Sequence, residues 1–433
     1  TSVCWDPATE TILLGTRGSE IYEISATDGA DLHGGPLVQG HCAHKLCGLA
    51  VHPSQSQVCT VGDDRTVRIW DTASKQMLKM TRLDAPCRAV AYSPDGMSIA
   101  VGLGADVGPR SKKEGAFAIL NEDDLTVIFE GRDTKKWITA IRSSPDSNTL
   151  AIASRDSYIY LYNVEDFTSK GKCRGPSGPV TNFDFSADSQ WIQSNSNEYE
   201  LTFNDGTTGR QQKSALSMKD IDWSSWSCPL GWPTQGAWPA TAADGTEVST
   251  CDRSQSGITL AAGDQYGRIR LYRYPCVTQG ASYNEFKGHS PDISCLRFSS
   301  DDEYLFSIGA YDRCLIQWRH GIATDEELAE ELGQAPDEED AEDLKDGGVA
   351  FDRSQEQYAV NEGVKTTYFE YIEEYGFAGK SGTTMGGGKD DAFAAVKPWL
   401  NRIVAPSAIP QTTPECPESE LELDWVYGYR GHD

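Results

Sequence analysis

The chain has 433 residues, with 65 acids against 38 bases and a formal net charge of −27. About a tenth of it is aromatic, including 11 Trp, which is ample for a packed core and excludes whole-chain disorder. No apolar run of about 18 residues exists to span a membrane, and such acidity makes a poor bulk binder of nucleic acid or anionic lipid.

The charge is uneven. Residues 1–320 hold 30 bases and 39 acids, whereas residues 321–433 hold 8 and 26. Two thirds of the net charge sits in the last quarter, which separates a balanced folded body from an acidic tail. The opening Thr1-Ser2-Val3-Cys4-Trp5-Asp6-Pro7 has no basic or apolar region of a signal or transit peptide. The 12 Cys are scattered without a C-x-x-C pair. Cys59, Cys295 and Cys314 lie in apolar runs and read as small core residues rather than zinc ligands. The chain has no Asn-x-Ser/Thr sequon, which agrees with a reducing, intracellular setting.

Along the body, one motif ends a short apolar strand and recurs. It appears as Ala50-Val51-His52-Pro53, Ala91-Tyr92-Ser93-Pro94-Asp95, Arg142-Ser143-Ser144-Pro145-Asp146, Asp184-Phe185-Ser186-Ala187-Asp188 and Arg297-Phe298-Ser299-Ser300-Asp301. Pro53 to Pro94 is 41 residues and Pro145 to Ala187 is 42. The longer gap between Pro94 and Pro145 holds a hydrophilic insertion near 103–115. A second motif follows, a tight turn and then an alternating strand. It is found at 20–24, 66–70, 116–120, 158–162, 199–203, 268–272 and 314–318, seven times in all. Period-2 alternation with β-branched and aromatic residues predicts strands. A period near 40 with four short strands per unit predicts an all-β, seven-bladed WD-repeat β-propeller over 1–320.

Two repeats carry the full WD chemistry. Gly40-His41 precedes Asp64 and Trp70-Asp71, and Gly288-His289 precedes Asp312 and Trp318. In repeats of this kind the His, the turn Asp, a strand hydroxyl and the Trp form one buried hydrogen-bonded chain. Thr60 takes the hydroxyl position in the first and Ser307 in the second. The indole N–H needs a buried partner, which this arrangement supplies. The structural reading is preferred over a catalytic dyad because it explains the repeat position. Between Asp220 and Thr259 the pattern breaks, and Trp223, Trp226, Trp232 and Trp238 crowd together. They form either a recognition patch or a satellite core, and packing is the favoured reading.

This irregular stretch carries a specific resemblance. Cys228-Pro229-Leu230-Gly231-Trp232-Pro233-Thr234-Gln235-Gly236-Ala237-Trp238-Pro239, Asp244-Gly245-Thr246-Glu247-Val248 and the run from Gly263 to Cys276 resemble the echinoderm microtubule-associated protein-like family. Residues 288–298, 307–312, 46–53 and 12–17 are similar to it too. At the far end, 421–431 resembles the start of the family's HELP motif. The family's unit is two joined propellers, and 1–320 resembles the second. The resemblance implies a microtubule-associated, non-enzymatic scaffold in the cytoplasmic cytoskeleton or a ciliary axoneme. The implied partners are tubulin and other cytoskeletal proteins. It also implies a fragment of a multi-propeller chain. No coiled coil or complete HELP motif is present. A general WD scaffold for signalling or ubiquitin transfer is the alternative, and a propeller enzyme a third.

Beyond the body, 321–350 reads as an acidic linker, since 325–346 hold 12 acids and one Lys. Residues 351–414 read as an aromatic and Pro/Gly-rich docking arm, and 415–433 as the start of a following HELP-motif unit. Gly379-Lys380-Ser381 echoes a phosphate loop, but position 374 is Glu where that loop needs Gly, so it is rejected. No cofactor, metal or catalytic residue is expected. The expected partner surface gathers Arg110, Lys112 and Lys113 with Arg132, Lys135 and Lys136 on one face.

Overall fold

The computed structural model describes residues 2–105, 113–238, 248–278, 281–290, 292–322 and the strand Leu421–Tyr429. Seven four-stranded antiparallel sheets form, as many as the repeats predict; in chain order they fall within 2–39, 46–82, 87–132, 138–173, 180–212, 248–287 and 293–322 with 421–429. Second strands such as Thr149–Ser154 are buried at every position, because neighbouring sheets cover both their faces. Outer strands such as Met77–Arg82 alternate half-buried with exposed residues. The predicted strand at 199–203 begins later, at Leu201, because Tyr199 closes the preceding turn at φ 53°.

Turn chemistry divides the molecule into two faces. On one, Ser93, Ser144, Ser186, Ser254 and Ser299 close the turn between first and second strands. Each hydroxyl accepts an N–H five residues on, at 2.8–3.0 Å. Asp95, Asp146, Asp188 and Asp301 accept further N–H groups in the same turns. Asp71, Asp124, Asp166 and Asp205 do likewise between third and fourth strands. These are Asx and Ser turns, which satisfy backbone donors that no strand can reach. Both kinds of turn share this Ser-Asp face, since Thr72 N–H donates to Ser56 O and Gly206 N–H to Gln190 O.

The opposite, entry face carries the turns between second and third strands and the chain's entry into each inner strand. Asp63 N–H donates to Lys45 O, Arg155 N–H to Trp137 O, and Ala310 N–H to Asp292 O. Each second-to-third turn holds a left-handed residue, Ser19, Arg65, Gly115, Ser157, Tyr199, Gly267 or Arg313. Gly267 is required twice over, because a Cβ there would lie 2.4 Å from His289 O.

Six apolar clusters form the seams of the body. Val61 and Val67 of the second sheet meet Val90 and Val101 of the third, and Phe117 of the third meets Tyr162 of the fourth. Leu161 of the fourth meets Phe183 of the fifth, and Leu271 of the sixth meets Leu296 of the seventh. The circuit returns where Leu315 and Ile308 of the seventh meet Leu46 and Trp70 of the second. There Leu46 N–H donates to Ala310 O at 3.0 Å and Ser294 Oγ–H to Leu46 O at 2.8 Å. No residue of the first sheet, 2–39, belongs to a buried cluster. It stands outside the circuit.

The sixth seam, between fifth and sixth sheets, is the Trp-rich segment. Trp223 and Trp226 are buried with Phe203 of one sheet and Cys251 and Tyr272 of the other. The segment is irregular, so its backbone needs local partners. Asp184 Oδ2 accepts Ser227 N–H at 2.8 Å and Cys228 N–H at 3.2 Å. Asp184 Oδ1 accepts the hydroxyls of Ser225 and Ser227 at 2.7 and 3.0 Å. Asn195 bonds Leu230 in both directions. On the far side Arg253 donates to Trp223 O and Cys276 N–H to Pro233 O. Three of the four Trp, Trp223, Trp226 and Trp238, therefore pack as a wedge.

The seventh sheet takes its outer strand from a distance. Leu421–Tyr429 pairs antiparallel with Leu315–Ile322, and Leu315 lies opposite Tyr429. This is the stretch expected to open a following unit. The rest of the expected linker and docking arm, 323–414, lies outside the described residues.

Candidate interaction surface

The entry face is built on the two polar networks. Trp70 Nε1–H donates to Thr60 Oγ1 at 2.8 Å. Thr60 Oγ1 lies 2.9 Å from His41 Nε2, and His41 Nδ1 lies 2.9 Å from Asp64 Oδ2. An indole can only donate, so the Thr60 hydroxyl turns its own proton to Nε2, and Nδ1–H faces the carboxylate. Asp64 also accepts from Thr66 N–H and Cys42 N–H. The second network repeats this. Trp318 donates to Ser307 Oγ at 2.7 Å, Ser307 lies 2.7 Å from His289 Nε2, and His289 Nδ1 lies 3.0 Å from Asp312. The longer Ser307–Asp312 spacing is accommodated. Each network ties a second-to-third turn to the strand entry beside it.

Burial pushes the His41 imidazole below its ordinary range, against the opposing pull of Asp64. Burial alone would raise the carboxyls of Asp64 and Asp312, but their His bonds and turn N–H groups hold both below the usual range. Unfolded His41 gains a proton near pH 6.5, whereas folded His41 resists it until lower pH. Its contribution to stability is therefore present above the unfolded value and declines as pH falls below it. Asp252, raised to about 6 by burial, works the other way below that pH. The informative quantity is thus a difference. From about pH 7.5 to about pH 5.5, the urea midpoint of His41→Gln should fall less, or rise more, than the parent's. An equal change in both would contradict the assignment.

Of the six bases expected on one face, Arg110 and Lys112 lie outside the described residues. Lys113 reaches Asp84 at 2.8 Å and Glu130 at 2.7 Å. Arg132 Nε–H donates to Glu114 O at 3.1 Å. Lys135 and Lys136 are exposed beside Trp137.

Sequence reasoning missed the mouth of the central channel, which the inner strands of all six circuit sheets line and which encloses about 300 Å³. At its entry-face end stand Lys45, Arg88, Trp137 and Arg155. Arg88 and Arg155 each approach the Trp137 ring at 5.1 Å from its centroid, a cation–π arrangement. Lys45 covers the Tyr311 ring at 4.6 Å. Arg88 pairs with the largely buried Asp63 at 3.0 Å. Among the described residues no group of three or more His, Cys, Asp or Glu is placed to hold a metal ion. None of the described cysteines forms a disulfide, and burial pushes the channel-lining Cys47 thiol up to about 12.

Repeated four-stranded sheets around a channel, stitched by His–Asp–Ser/Thr–Trp networks, define a WD-repeat β-propeller. Residues 46–320 match the description Echinoderm microtubule-associated protein second beta-propeller, and the chain belongs to that family. The match begins at the first residue of the second sheet, so it covers the circuit apart from the strand Leu421–Tyr429 and omits the sheet outside it. The chain is 36% identical over 312 residues to the 77 kDa echinoderm microtubule-associated protein of Strongylocentrotus purpuratus, covering 70% of this chain and 44% of that one. It is 32% identical over 314 residues to human Echinoderm microtubule-associated protein-like 2, covering 72% and 46%. For human Echinoderm microtubule-associated protein-like 1 the figures are 31% over 314 residues, 72% and 37%. The chain thus spans less than half the length of these curated relatives.

Proposed function

We propose that this chain is a non-enzymatic, microtubule-associated scaffold and a piece of a longer protein with more than one propeller. The observation that carries the reading is the match of the six-sheet circuit to the second propeller of a family named for microtubule association. The first sheet supports the longer protein. Val3 and Trp5 are 66% and 63% exposed, and they share one sheet face with Ile12 and Leu14. Such an apolar face suits the last blade of a preceding propeller. Residues 321–350 then act as a spacer, 351–414 as a docking arm, and 415–433 as the opening of a further unit. The partners are tubulin and other cytoskeletal or axonemal proteins, and the setting is the cytoplasmic cytoskeleton. Co-sedimentation with taxane-stabilised microtubules tests this. The pelleted fraction should rise with polymer and saturate. Chain that stays in the supernatant at every polymer concentration, with an unchanged thermal melt, would overturn the reading.

A further inference from the structure

The two faces of the propeller differ in charge, and the turns explain why. On the Ser-Asp face, turn closure places one aspartate at turn after turn, and Asp123, Asp302 and Glu303 join them, while the buried Glu122 is held by Lys79. Their acidity is a by-product of satisfying backbone donors. The entry face closes its turns differently. Asp64 and Asp312 are drawn inward to histidines, and Asp63 to Arg88. Asp133 accepts the Tyr162 hydroxyl and Asp156 the Tyr160 hydroxyl. Several entry-face acids are thus engaged locally. Lys45 and Arg155 stand with Trp137 and Asp292 at the channel mouth, and the exposed Lys135 and Lys136 immediately precede Trp137 in the chain.

We infer that this cationic sector of the entry face is a docking site for an acidic peptide segment of a partner protein. Carboxylates pair with the Arg155 guanidinium and the lysine ammonium groups, and the segment's stem lies against Trp137. The acidic Ser-Asp face repels the same segment, so the propeller presents one face to its partner. The inference stands apart from microtubule association, because it names a peptide chemistry rather than an assembly.

Fluorescence anisotropy of a fluorescein-labelled decaglutamate peptide, titrated with the full chain, tests it. The peptide should bind saturably and weaken with salt as the Debye length falls below about 8 Å. Lys135→Glu/Lys136→Glu should weaken binding about tenfold. Adding Arg155→Glu should weaken it further, and Asp123→Asn on the opposite face should leave it within about twofold. Thermal melts accompany each variant. Because both lysines are exposed, their double variant should keep the parent's melt even if the Arg155 change does not. Three results would overturn the site: no saturable binding by the parent, unchanged binding by the folded lysine variant, or equal binding of a labelled decalysine peptide. A chain that binds the peptide but does not pellet with microtubules retires only the scaffold reading.

Discussion

Asp184→Ala should be among the most damaging single substitutions in the body, costing about 3–5 kcal/mol of unfolding free energy. Asp184 is fully buried and its two oxygens accept from Ser225, Ser227 and Cys228. Alanine would leave those donors without an acceptor inside the wedge and remove the carboxylate that faces Arg142 at 3.7 Å. The wedge completes the circuit between fifth and sixth sheets, so the loss should not stay local. Urea denaturation should show a lower midpoint, and limited proteolysis should show early cleavage within 213–238. Asp184→Asn keeps an acceptor but adds a donor, so it should fall between parent and alanine. A midpoint for Asp184→Ala indistinguishable from the parent would show that the wedge is dispensable.

The second large effect is expected at the last network. Asp312→Ala and Trp318→Ala should each cost about 2–4 kcal/mol, the first through unpaired donors and the second through a cavity. Asp312 holds His289 as well as the N–H groups of Ser290 and Cys314. Trp318 is buried with Phe298 and Leu296, and Gly288 lies so close that a Cβ there would sit 2.8 Å from its ring. The two substitutions act through one chain of hydrogen bonds, so the double variant should lose less than the sum. Strict additivity in a double-mutant cycle would separate the Asp from the Trp and break the network reading.

Strands and turns were legible because both depend on local chemistry repeated at a fixed spacing. Alternating runs such as Thr66–Asp71 fall in strands, and the Ser-x-Asp turns lie where the repeats place them. The two His–Asp–hydroxyl–Trp sets could be picked out because each partner sits at a constant offset within one repeat. Asp184 left a fainter trace. An acid between Phe183 and Phe185 on an apolar strand must find buried donors, but its partners lie some forty residues on, in a segment with no repeat to align.

By itself, then, the sequence determined an all-β chain of seven four-stranded units and the family. Only the tertiary structure decided how those units join. Sheet adjacency is set by which apolar faces meet across hundreds of residues, as Leu46 meets Ile308, and each sheet looks alike from within. That is why the first sheet's place outside the circuit, the wedge between fifth and sixth sheets, and the outer strand supplied by Leu421–Tyr429 were not readable in advance. The same holds for charge. Whether Lys113 is available to a partner depends on Asp84 and Glu130, which a neighbouring loop and strand bring within 3 Å of it. A side chain's charge is local to its residue, but its neutralisation is a property of the packed surface.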